Sequence, residues 1–295
     1  MSRSYLVHEV TSTDKHLVTE LTRYDSYVHH HLDWRTPLEW FGFTPYLLLE
    51  SNNSIANSPN SFKRGVATLA CPRVSFEATW IRIFAYLPTL IHQQEAWNHL
   101  WEPTLTALRS QSQTTTIAAV PFHNWFRELL ASNGFECTHD VVSLVRNGYA
   151  PLPPKSQTHV TIREMTQEDI PFVQGVDAVA FPPLWHYSLE TLRRAFLNAH
   201  EATVAMLNDT ILGYQISTAT AGAGHLARLA VLPQEQRNGI GSALLQNLLE
   251  RFAAQRFHTV SVNTQNYNQK SISLYEKFGF VRTEEIYPVF EFPVN

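Results

Sequence analysis

Hydrophobic positions in the second half of the chain follow two different periods. His225 to Leu232 is short, apolar and free of Gly and Pro, the pattern of a buried strand. From Ser242 to Phe257 apolar residues fall at 244, 245, 248, 249, 252 and 253, a helical stripe. Val260 and Val262 then alternate as in a strand, and Ile272, Tyr275 and Phe278 line the inward face of a helix that ends at Gly279. The predicted order is strand, glycine-containing loop, helix, strand, capped helix.

The same framework occurs earlier in the chain. Val7 to Asp14 (VHEVTSTD) matches Ile162 to Asp169 (IREMTQED), each a strand followed by a helix cap, so that Glu9 pairs with Glu164. Trp80 to Pro88 resembles Leu226 to Pro233, and Trp125 to Phe135 resembles Ser273 to Phe280. Arg82 and Gly134 are 52 positions apart and Arg228 and Gly279 are 51 apart, so the landmarks keep their separation. The longer spacing from Glu9 to Arg82 places a surface-loop insertion at Ser51 to Ser61. Prolines in Asn147 to Thr158 stiffen that stretch and mark it as a linker. The expected division is 1–146, a linker at 147–158, and 159–295.

Composition narrows the function classes. The chain has 295 residues, 44% apolar and 16% charged, which supplies core material for two domains. A net charge of -4 offers no general attraction for nucleic acid or anionic membranes. No apolar run reads as a signal peptide or a membrane span, so a cytoplasmic location is expected. Cys71 and Cys137 form no C-x-x-C pair and read as buried apolar residues, while His29, His30 and His31 read as a solvated helix face without metal. Arg193 and Arg194 read as another solvated helix face.

Chemistry concentrates in Pro233 to Gly241, PQEQRNGIG, between the strand and the helix. Its glycines permit positive φ and close approach of main chain to a ligand, and converging N–H groups at a helix start favour an anion such as a pyrophosphate. Arg237 can add charge. Alone, such a loop also reads as an ordinary strand-to-helix connection. Together with Val260 to Phe280 the pattern is more specific. Gln236, Gly239, Gly241, Asn268, Tyr275, Gly279 and Phe280 occupy the places of the acetyl-CoA motif of the GNAT superfamily of N-acetyltransferases, which the chain resembles over about Val160 to Phe292.

The resemblance implies an α/β (α+β) fold of two GNAT-like domains, each a mixed, mostly antiparallel twisted sheet flanked by helices. It implies an N-acetyltransferase that moves an acetyl group from acetyl-CoA to an amine by direct attack in a ternary complex, without metal. Coenzyme contacts would come from Gln236, Arg237, Asn238, Gly239, Ile240, Gly241 and Ser242, from Asn268 and Tyr275, and from the main chain of Leu229 and Val231 on a strand that splays from its neighbour. A backbone N–H near Ala230 or Val231 would meet the oxyanion.

The resemblance makes Tyr275 the acid for the departing thiolate, against a plain core aromatic. His225, six before Val231, stands where histone-type members carry a Glu base, and reads either as that base or as a structural histidine. Asn268 reads equally as a coenzyme contact or an N-cap. Phe181 to Ser188, aromatic and proline-rich, lines an acceptor site or packs as a plain loop. The first half has no glycine where Pro88 to Trp97 replaces the loop and no tyrosine before Asn133-Gly134, which marks a degenerate copy without coenzyme. A non-catalytic acyl-CoA sensor remains the alternative to an enzyme.

Overall fold

The computed structural model describes residues 4–23, 25–52, 64–73, 77–110 and 116–294. Along the chain run β1 (Ser4–Glu9), α1 (Lys15–Leu21), β2 (Val28–His30), β3 (Tyr46–Asn52), β4 (Arg64–Ala70), β5 (Ala78–Trp80), β6 (Ile83–Tyr86), α2 (Gln93–Ser110), β7 (Thr116–Ala119), α3 (Asn124–Ser132) and β8 (Glu136–Asn147). The second series is β9 (Thr161–Glu164), α4 (Ile170–Ala180), α5 (Leu189–Leu197), β10 (Glu201–Leu207), β11 (Thr210–Thr220), β12 (Ala223–Val231), α6 (Ile240–Ala254), β13 (Thr259–Gln265), α7 (Gln269–Lys277) and β14 (Val281–Pro293). Most of the proposed insertion lies outside the described residues, since only Ser51 and Asn52, in β3, belong to them.

The chain divides into unit 1, Met1–Thr138 with Pro288–Asn295, and unit 2, His139–Tyr287. This differs from a break at 147–158. β8 passes from unit 1 into unit 2, and β14 begins in unit 2 and ends in unit 1. The proline-rich stretch lies inside unit 2 for a physical reason. The buried Arg146 guanidinium donates to the carbonyls of Asn147 (2.8 Å), Ala150 and, at the end of α7, Phe278 (2.7 Å). A group with five donors ties that stretch to the helix.

In unit 2 the strands lie in the order β8, β13, β12, β11, β10, β9, with the start of β14 beside β8. β12 and β13 are parallel and the other pairings among these six are antiparallel. Packed between this sheet and α6 and α7 are Leu226, Leu245, Leu249, Phe252, Val260, Val262, Tyr275 and Phe278. In unit 1 the order is β1, β3, β4, β6, β2, all antiparallel, and a second set joins β5, β7 and residues 290–293 of β14. Trp97, Trp101, Phe126 and Phe290 fill its main core.

The repeat is structural. Thr11 with Asp14 and Thr166 with Asp169 form matching helix entries, each aspartate accepting the threonine N–H at 2.8 Å. Gly134 and Gly279 both take left-handed φ, +84° and +80°, after α3 and α7. Register slips fall at Leu49/Glu50 on β3 and at Ala205/Met206 on β10, the same place in each copy.

Two readings need correction. His29, His30 and His31 are not a helix face: His29 and His30 end the short β2, His29 bonds the Ile81 carbonyl at 3.1 Å, and its ring stacks on Phe126. Three histidines in a row carry no periodicity that separates a strand from a helix. Cys71 is buried and its thiol is pushed up to about 12 by that burial, but Cys137 is exposed on β8. Arg193 and Arg194 do lie on α5, with Arg194 paired to Glu190 one turn back at 3.0 Å. Among the described residues no helix is long and apolar enough to cross a membrane.

Candidate active site

The seam between β12 and β13 defines the site. Ala223–Leu226 pair with Thr259–Val262, and there the described pairing stops, although β12 continues to Val231 and β13 to Gln265. Beyond Leu226 the two strands part, leaving the β13-facing edge of Ala227 to Val231 open to an added extended chain. On its other edge β12 stays paired to β11, with a bulge at Ala227 opposite Ile216 and Ser217. Bulges re-aim the main chain and recur beside active sites. Leu229 and Val231, half-buried, belong to the open part.

The glycine loop sits at the end of this seam. Arg237 and Gly239 both take left-handed φ, +70° and +79°, and α6 starts at Ile240. Among the described residues the N–H groups of Arg237, Asn238 and Gly239 donate to no main-chain carbonyl. Ile240, Gly241 and Ser242, as the first turn, have no acceptor four residues back within the helix. Two left-handed residues around Asn238 followed by a helix start form an anion-binding concavity. A Cβ on Gly241 would meet only ordinary contacts, 3.5 Å from Leu274 and 3.8 Å from Val231, so the glycine leaves space that the protein itself does not fill. Gly239 has its open side against the 147–158 stretch, where a Cβ would come 3.3 Å from the Gln157 carbonyl.

Around the loop, Gln236 donates its amide to the Val231 carbonyl at 3.3 Å, and its amide oxygen accepts from Lys270 at 3.3 Å. Lys270, on the first turn of α7, brings a cation beside the loop that no motif signalled. Asn268 accepts the Ser271 N–H at 3.2 Å, so its side-chain oxygen caps α7. Arg237 and Asn238 are exposed, and Asn238 donates to Glu235 at 3.2 Å.

Tyr275 is 5% exposed, on the inward face of α7, in the cluster that holds Leu226 and Val262 at the end of the paired seam. Burial raises the pKa of its phenol well above the ordinary tyrosine value, so the group stays protonated across the physiological range. His225 stands one residue before the last paired position. Its Nδ1 lies 2.9 Å from Ser261 Oγ, which itself faces the Gly224 carbonyl at 3.4 Å. With the serine hydroxyl donating to that carbonyl, Nδ1–H donates to Ser261 and Nε2 keeps its lone pair. Burial lowers the His225 pKa, so the imidazole is neutral at pH 7.

A buried cluster lies on the α4 side of β12. Arg228 pairs with Asp177 of α4 through Nε (2.8 Å) and Nη2 (2.9 Å), Tyr214 donates to the same carboxylate, and the guanidinium lies 3.6 Å from the Phe181 ring centre and 3.8 Å from that of Tyr187. Arg228 also donates to the Trp185 carbonyl at 2.7 Å. The Phe181 to Ser188 segment is thus clamped onto the strand that carries the seam. Sequence reasoning used Arg228 only as a repeat landmark.

Comparisons with known proteins bear on the fold and on the second half of the chain. Residues 163–280 match the family model described as acetyltransferase (GNAT) family. An 84-residue stretch is 33% identical to a spore coat polysaccharide biosynthesis protein of Bacillus subtilis; the match takes in 28% of this chain and 29% of that protein, so less than a third of the relative's length is spanned. Solved structures with the same fold include a tandem GNAT protein from the clavulanic acid biosynthesis pathway (12% identity, 99% of each chain, TM-score 0.60). Others are GCN5-related N-acetyltransferases from Sphaerobacter thermophilus (14% identity, 99% of this chain and 96% of that one, TM-score 0.59) and from Kribbella flavida (12% identity, 98% and 71%, TM-score 0.68).

Proposed function

We propose, from the premise that the second half of this chain is a GNAT domain, that unit 2 transfers an acetyl group from acetyl-CoA to an amine. The observation that carries this reading is the parted seam after Leu226, ending at a loop of undirected N–H groups. The coenzyme's diphosphate would take the N–H groups of Arg237 to Ser242, with Lys270 adding charge, and the pantetheine arm would pair with the edge at Leu229 and Val231. Gln236 shapes the loop by holding the Val231 carbonyl, and Asn268 acts through its cap on α7.

An ammonium acceptor must lose a proton before attacking the thioester carbonyl. His225 Nε2, kept free by the Ser261 contact, accepts it directly or through water. The amine nitrogen then bonds the carbonyl carbon, a main-chain N–H of the open strand steadies the oxyanion, and the C–S bond breaks as the Tyr275 hydroxyl protonates the thiolate. The second proton, shed by the new amide nitrogen, returns through solvent to Tyr275. First- and second-half roles divide accordingly: α2 of unit 1 starts at Gln93 without a preceding glycine and supplies no equivalent loop. The Bacillus subtilis relative's place in polysaccharide biosynthesis favours a small-molecule acceptor over a protein amine.

The test is turnover: a panel of amino sugars, amino acids and polyamines is offered with acetyl-CoA while released thiol is measured. Release that needs both substrates and tracks one acceptor supports the reading. If acetyl-CoA neither turns over nor raises the melting temperature, the coenzyme assignment falls.

A further inference from the structure

The two copies differ at one half-buried position in a way that points to a ligand. In unit 2, Arg163 of β9 stands opposite Val204 and reaches Asp169 with Nη1 at 2.6 Å and Nη2 at 2.8 Å, while its Nε lies 3.0 Å from Met206 Sδ. In unit 1 the matching residues are His8, opposite Leu48, then Asp14 and Glu50. The correspondence is fixed by three features. Asp14 and Asp169 each accept the N–H of a threonine at 2.8 Å, each lies six residues after its strand partner, and Glu50 and Met206 each directly follow the register slip in their strand. One copy therefore fills this place with a guanidinium against one carboxylate. The other sets a shorter imidazole against two.

Among the described residues, one ligand atom each of His8, Asp14 and Glu50 lies within 4.8 Å of the others. Glu50 is 1% exposed and Asp14 is 8% exposed. His8 Nδ1 is 2.9 Å from the Glu9 carbonyl, so it carries the hydrogen, and Nε2 presents its lone pair 3.3 Å from Glu50 Oε1. A lone pair and two carboxylates converging in a buried place form a cation-binding set. A carbonyl fixing the far nitrogen of the imidazole is the usual support of a metal-bound histidine.

We propose that unit 1 carries a divalent-metal site of the zinc class, formed by His8 Nε2 and the carboxylates of Asp14 and Glu50, in the place where unit 2 uses Arg163. One imidazole and two carboxylates suit Zn2+ among the borderline divalent cations. The metal ties β1, β3 and the start of α1 together, a structural role separate from acyl transfer.

The test uses the full untagged chain, stripped with chelator and titrated with Zn2+ alone, with calorimetry and melting temperature as readouts. One Zn2+ per chain and a rise in melting temperature are expected. Glu50→Gln should weaken binding by more than the roughly 10–100-fold that loss of an orienting partner costs. A second variant imports the arrangement of unit 2: His8→Arg with Glu50→Met should fold, bind no Zn2+, and melt at a temperature that chelator does not change. Absence of stoichiometric binding by the stripped wild type overturns the proposal. So does binding that survives in the double variant.

Discussion

Replacing Ser242 with aspartate separates the stability of the glycine loop from the coenzyme-binding role proposed for it, because the two respond with opposite sign. Ser242 is the third residue of α6, half-buried, in the turn whose N–H groups have no helical partner. A carboxylate there meets the positive end of the helix and should stabilise the ligand-free protein by about 0.3–1 kcal/mol. The same charge would repel a diphosphate held by that turn, at a separation taken as about 5 Å. At an effective dielectric near 20 that repulsion is about 3 kcal/mol per unit charge, an upper bound. Solvent and counterions at this half-open surface reduce it to about 1.5–3 kcal/mol, or about 10–100-fold in Kd.

The readout is melting temperature with and without acetyl-CoA. At about a hundred times Kd the wild type should gain about 2.7 kcal/mol, roughly 5–10 °C. At the same concentration a hundredfold weaker variant should gain only about 0.4 kcal/mol, or about 1 °C. Ser242→Asn, of similar size and neutral, should keep most of the shift. A variant that melts higher than wild type yet binds acetyl-CoA equally well would refute the location of the diphosphate, whatever the protein's activity.

Two further outcomes follow from the buried groups. Tyr275→Phe keeps the ring in its cluster and removes only the hydroxyl, so the acetyl-CoA melting shift should persist while kcat falls about 100-fold; unchanged kcat would remove Tyr275 from the chemistry. His29 has its pKa lowered by burial from 6.5 to about 3, so between those values the unfolded chain binds a proton that the folded chain refuses. Stability is then full above about pH 6.5 and declines as pH falls, by about 1.3 kcal/mol between pH 7 and 5.5 from this residue. Denaturant titrations of wild type and His29→Gln should differ in pH slope by that amount, and identical slopes would show that His29 is not the source.

What was legible in the sequence was local. Gly239, Gly241 and Gly279 announce positive φ or close approach, and the period of α6 and α7 places Tyr275 inward before any coordinates. The parallel strands between them follow from strand-helix-strand order. What escaped depends on partners far apart in the chain. Arg228 and Asp177 are separated by 51 positions, and although each lies in an apolar run, nothing in either run names the other as its partner. His29 lies beside two other polar residues, yet a three-residue strand buries it, which no period can reveal at that length. Asn268 was ambiguous because its oxygen serves a cap or a ligand equally, and only the Ser271 N–H decides which it meets. β8 reads as a strand wherever it docks, so its membership in unit 2 was invisible.

That membership makes a cut at the proline-rich stretch damaging. Val141–Asn147 of β8 pair antiparallel with Gln265–Thr259 of β13, and Val142 and Leu144 are buried in the same cluster as Tyr275 and Phe278. A fragment 159–295 would therefore expose the edge of β13, uncover that cluster and lose Arg146, whose guanidinium holds the end of α7 through Phe278. Losing two buried aliphatic side chains alone costs about 3–6 kcal/mol by transfer, a large share of an ordinary domain's stability. A fragment 139–287 keeps all of unit 2 and omits the residues of β14 that complete unit 1. The expected result is cooperative unfolding and an acetyl-CoA melting shift for 139–287, with neither for 159–295, by circular dichroism and scanning calorimetry. Equal stability of the two fragments would mean that β8 is an accessory strand and that the unit begins where the prolines end.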